Sequence, residues 1–68
     1  MKHETELLKV SNLFGITKKN AAYFALAELY DAKGIECTAL NKMLDSMTED
    51  ELYRAFDEEM DLNPSFLR

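Results

Sequence analysis

The chain has little of what lets a small protein hold together without good packing. Cys37 is its one cysteine, so no internal disulfide can form. With His3 as the one histidine, the soft ligands fall short of a structural zinc shell, and no other cofactor motif occurs. There is one proline, Pro64, and two glycines, Gly15 and Gly34, so few positions break the chain before residue 62. No stretch alternates apolar and polar residues over the length of a strand. The longest apolar run, Ala21 to Leu29, is interrupted by Glu28 and falls short of the roughly 20 residues of a membrane span. The opening MKHETELLKV lacks the apolar segment of a signal peptide. These absences predict an all-α, soluble protein without a membrane partner, and the unpaired thiol suits a reducing cytoplasm.

What remains is helix periodicity. One domain over 1–68 is expected, a bundle of about four short helices near 4–14, 17–33, 38–47 and 48–61, with a tail at 62–68. In the first helix Leu7, Val10 and Phe14 share an apolar face, with Leu8 on the opposite side and Gly15 as the stop. Helix two can start from Thr17 or Asn20, with Asn20 favoured as the cap and Lys18 and Lys19 as solvated lysines. Its alanines Ala21, Ala25 and Ala32 form a strip where a neighbour can approach closely. Helix three takes Thr38 as its cap and buries Leu40, Met43, Leu44 and Met47. Helix four opens on a capping box, Thr48 to Glu51, and turns Leu52, Tyr53, Phe56 and Met60 inward. Arg54 has Asp50, Asp57 and Glu58 within helical pairing distance. Asn63-Pro64 ends that helix.

The second helix carries the strongest clue. In NAAYFALAELYDAK, Asn20, Phe24, Glu28 and Asp31 lie on one narrow stripe, and the rest is Ala, Leu and Tyr apart from Lys33. A segment that apolar is expected to be the central post of the bundle. Phe24 then points outward beside Glu28, where a core would not want it, and so suggests a partner. Leu8 is a second bulky outward residue. A homodimer is one expected cover, because a patch that meets its own copy closes the assembly.

Charge is uneven. Residues 1–34 hold five bases against four acids, and residues 35–68 hold nine acids against Lys42, Arg54 and Arg68, within an overall charge of −5. An acidic half repels nucleic acid and anionic lipid and attracts basic protein surfaces. Asp57, Glu58 and Asp61 form the acidic face of helix four, and Phe66 and Leu67 are apolar residues in the tail. With Phe24, Leu8, Glu28 and Asp31 they complete the candidate protein-binding residues.

Other chemistries fare worse. The order of apolar helix, Gly, short helix, turn and capped helix has a helix-turn-helix outline. Its last helix, TEDELYRAFDEEMD, has a single base among seven acids, which phosphates would repel. A DNA-binding regulator would have to rely on Lys18 and Lys19 of the less acidic N-terminal half. Counting Asp31 as the first ligand of a calcium loop puts Lys33, Ile35 and Lys42 at positions that need oxygen donors, so an EF-hand fails. The runs Glu49-Asp50-Glu51 and Asp57-Glu58-Glu59 are consecutive, so on a helix they cannot converge on one ion. Cys37 follows an acid, Glu36, rather than the cation that favours a thiolate, and is expected to be a partly buried hydrophobe. His3 is expected in a frayed terminus. No enzyme is expected. Met43, Met47 and Met60 are read as core filling. The expectation is a small acidic protein-interaction module that binds another protein with a basic or apolar surface. Its character is that of the stoichiometric inhibitors, anti-activators and adaptors that phages and mobile elements encode.

Overall fold

Two glycines with positive φ and one threonine capping box divide the chain into its helices. The computed structural model describes residues 1–63, as α1 (Glu4–Phe14), α2 (Lys18–Ala32), α3 (Cys37–Asp45) and α4 (Glu49–Leu62). All regular structure among the described residues is α-helical, so the protein is a small all-α bundle. None of these helices is long and apolar enough to cross a membrane. Phe66 and Leu67 lie outside the described residues.

α2 is the central post. The other three helices each pack mainly against it. Ala21, Ala22 and Leu26 are fully buried, in one core with Leu7 of α1, Leu40 and Leu44 of α3, and Leu52, Phe56 and Met60 of α4. Alanine suits this position, since a short side chain lets neighbouring backbones come close and costs no rotamer entropy. The close strip is Ala21, Ala22 and Ala25 rather than Ala21, Ala25 and Ala32, because Ala32 lies in the last turn and is exposed.

The helix ends show local competition for orphan amides. Gly15 takes φ 64° and returns its N–H to Ser11 O, ending α1. Thr17 Oγ1 accepts the Asn20 N–H at 3.1 Å, so Thr17 is the cap and Asn20 lies inside α2. Glu36, not Thr38, caps α3. Its two carboxylate oxygens accept the N–H groups of Thr38 and Ala39 at 3.0 and 3.1 Å, two donors where a hydroxyl would satisfy one. α3 also stops at Asp45, short of Met47. Thr48 needs an extended backbone (ψ 166°) to cap α4, so the preceding helix must end earlier. The expected box is present, with Thr48 Oγ1 and Glu51 Oε1 each 3.2 Å from the other residue's N–H.

Four further expectations are corrected. The N-terminus is not frayed. Lys2 and His3 donate their backbone N–H groups to the Asp57 carboxylate at 3.0 and 2.8 Å, and His3 Nε2 lies 2.8 Å from Asp61 Oδ1. Arg54 joins none of the ion pairs among the described residues. Cys37 is exposed, at the first position of α3 after the Glu36 cap. Phe14 and Met43 lie on faces expected to be buried yet are 68% and 39% exposed. Met47 is half-buried and Met60 buried.

Candidate interaction groove

The outward stripe of α2 is as the periodicity predicts. Asn20, Phe24, Glu28 and Asp31 are all exposed, Phe24 to 54%. They do not stand on a convex ridge. Phe24, Glu28 and Asp31, together with Ala25 and Ala27 of the same helix, line a groove of about 780 Å³ to which α1 and α3 also contribute. From the α1 side come Val10 and Phe14, with Ile16 from the linker after Gly15. From α3 come Cys37, Leu40 and Asn41.

The groove lies where two neighbours of α2 face a depression that no described residue fills. Along the core-facing stripe of α1, Leu7 is fully buried, Val10 half-buried and Phe14 mostly exposed. α3 shows the reverse gradient, with Leu44 and Leu40 buried and Cys37 open at the start. The last turn of α1 and the first turn of α3 therefore flank space that no described residue covers. Tyr23 and Phe24 meet edge to face, ring centroids 5.9 Å apart, which steadies the Phe24 ring at the rim.

The electrostatics of the groove follow from how the carboxylates are used elsewhere. Glu4 binds Lys18 at 2.9 Å, and Glu6 lies 3.6 Å from His3. Asp45 accepts the Tyr23 hydroxyl at 2.8 Å, and Glu49 that of Tyr53 at 2.6 Å. Burial and then the Glu49 hydrogen bond push the Tyr53 phenol up to about 12. Glu59, 8% exposed, takes the Lys33 ammonium on both oxygens at 2.8 and 2.7 Å. Glu36 and Glu51 cap helices, and both are held below the usual carboxylate range, first by the backbone N–H groups they accept. Asp57 and Asp61 hold the N-terminus, as described. The hydrogen bonds from His3 and Lys2 lower Asp61, and the same Asp61 contact raises His3.

Of the acids, only Glu28, Asp31, Asp50 and Glu58 have no ion pair or side-chain hydrogen bond among the described residues. Two of these, Glu28 and Asp31, line the groove, and among the described residues no cationic side chain does. The acidic face expected on α4 is thus largely consumed by the fold, while the pair on α2 is left over.

The candidate residues accordingly separate. Phe24, Glu28 and Asp31 come together. Leu8, 42% exposed, lies on α1 but does not border the groove. Glu58 is exposed and, unlike Asp57 and Asp61, does not bind the N-terminal residues. Lys18 is half-buried, bound to Glu4, with its ammonium 4.8 Å from the Tyr53 ring centroid, so it is not a solvated lysine. Lys19 is exposed. His3 is committed to Asp61 and Cys37 to the Asn41 amide at 3.8 Å, so the two are not paired as base and nucleophile. No group of acids, His and Cys among the described residues is placed to hold a metal ion. Phe14, Val10 and Ile16 were missed as groove residues. The signal for Phe14 was its place in the last turn before Gly15, where its apolar stripe ends. No protein-family model matches the chain, and neither does a curated protein or a solved structure.

Proposed function

We propose that the protein is a stoichiometric binder of another protein, acting as an inhibitor, anti-activator or adaptor through the groove beside Phe24. The observation that carries this reading is the coincidence of an exposed aromatic with apolar space on the central helix that no described residue fills. Phe24 and Phe14 together offer large ring surfaces next to a concave floor, the arrangement in which a few buried contacts dominate binding energy. A groove of about 780 Å³ is in the size range of small-molecule sites as well. Its lining is mostly apolar, with Glu28, Asp31, Asn41 and Cys37 as the polar residues among those described. The exposed free thiol supports a reducing compartment such as the cytoplasm. Regulation of DNA by direct contact is not part of this reading, since Lys18 is bound to Glu4.

The test is retention from native extract by the immobilised protein, compared with Phe24→Ala and with Leu62→Ser on an exposed residue that does not border the groove. The reading expects a protein retained in equimolar amount by the wild type and by Leu62→Ser and lost with Phe24→Ala. An identical set of retained proteins on all three would overturn it.

A further inference from the structure

The groove is lined mostly by apolar residues, and among the described residues its only charged side chains are the carboxylates Glu28 and Asp31; these two properties specify an occupant. Glu28 and Asp31 are three residues apart on one face of α2, so they stand side by side within the groove lining. Elsewhere the fold gives most of its acids a cation, a hydroxyl or a backbone N–H. To Glu28 and Asp31 it supplies none among the described residues. A pair of unspent carboxylates beside exposed aromatic surface is complementary to a ridge of apolar side chains flanked by Lys or Arg.

We infer that the groove takes one basic amphipathic helix of a different protein. Its apolar residues, spaced i, i+3, i+4 and i+7, fill the space between Phe14 and Phe24, and its flanking Lys or Arg meets Glu28 and Asp31. This rests on the proposed binding function and names the partner chemistry. A helix is the fitting shape because its apolar ridge is convex where the groove is concave, and recognition by such periodic contacts is a recurring mode. A second copy of the chain is the poorer occupant. Two bodies of charge −5 repel, and each would present the same carboxylates to the other's rim.

The probe is a fluorescein-labelled 18-residue helix-forming peptide with Leu at those spacings and Lys at the flanking positions. Its twin has Glu in place of every Lys. Anisotropy titrations and stopped-flow association use the wild type, Phe24→Ala and the double variant Glu28→Gln, Asp31→Asn. Thermal melts first establish that each variant folds. The expected result is 1:1 binding of the Lys peptide, with the Glu twin weaker by about tenfold or more. The double variant slows association several-fold and flattens its salt dependence, because rim charges act mainly on encounter. Phe24→Ala instead speeds dissociation. Alkylation of Cys37, which lines the groove, slows when the Lys peptide is bound. If both peptides bind equally and Phe24→Ala weakens both, the basic partner is refuted while the groove remains a binding site. If the Lys peptide binds Phe24→Ala as well as wild type, or if neither peptide binds, the inference fails. It also fails if sedimentation shows a wild-type dimer that Phe24→Ala dissociates, since the occupant would then be a second copy.

Discussion

The two sides of α2 are built from similar residues and end up doing different things. The side toward α4 is closed. Ala22 and Leu26 join Leu52, Phe56 and Met60 in the core, and Lys33 and Glu59 seal its far end. The side between α1 and α3 is open, although Phe14, Val10 and Leu40 supply apolar surface there too. Length accounts for the difference. α4 has 14 residues beside the 15 of α2, while α1 has 11 and α3 has 9. A helix that matches its neighbour covers it end to end, and two short ones leave a gap where one stops and the other begins.

This contrast can be broken most forcefully at Phe56, which is fully buried. Phe56→Ala is expected to cost about 3–5 kcal/mol, a large share of what a domain of this size has, and chemical denaturation would record it. A loss under 1 kcal/mol would mean that the closed side is not the source of stability.

Next in size is the seal at the end of α2. Lys33→Met leaves the Glu59 carboxylate without its cation in a mostly buried position. The expected cost is about 1–2 kcal/mol, held down because Lys33 is itself partly exposed. Adding Glu59→Gln to it should recover part of the loss in a double-mutant cycle. Independent, additive effects would show that the pair contributes nothing as a pair.

Thr48→Ala removes the hydroxyl half of the capping box and is expected to cost about 1 kcal/mol. An unchanged melt would put the start of α4 elsewhere.

The smallest expected effect is at the N-terminal clamp and depends on pH. His3 is raised by its hydrogen bond to Asp61, so its contribution is complete below about pH 6.5 and is lost as pH rises through its folded value. Asp61 is lowered by His3 and Lys2, so its contribution is present above about pH 4 and is lost as pH falls through its folded value. The difference in Tm between wild type and His3→Asn should therefore be greatest near about pH 5–6 and shrink toward alkaline pH. A difference independent of pH would assign the clamp to the backbone bonds with Asp57 alone.

The comparison also shows what periodicity reveals. The outward stripe of α2, its central place and the Thr48 box were legible because they depend on spacing within one helix. The groove was not, since it depends on where two other helices end relative to α2. Phe14 and Met43 illustrate this: the wheel puts each on an inward face, but a face is buried only where a neighbour reaches it. Glu36 was passed over as a cap because Thr38 is the commoner choice, although a carboxylate can satisfy two amides at once. The partners of Asp57 and Asp61 were hidden for a different reason. They come from residues 2 and 3, more than 50 positions away in sequence, and no local pattern announces such a contact.

The central claim is that α2 uses one side for the fold and keeps the other for a partner. Phe24→Ala tests it when stability and binding are measured on the same samples. The account predicts a denaturation free energy within about 0.5 kcal/mol of wild type and at least a tenfold loss of affinity for the basic amphipathic peptide. A variant destabilised by more than about 1.5 kcal/mol, or one that binds the peptide undiminished, would contradict it.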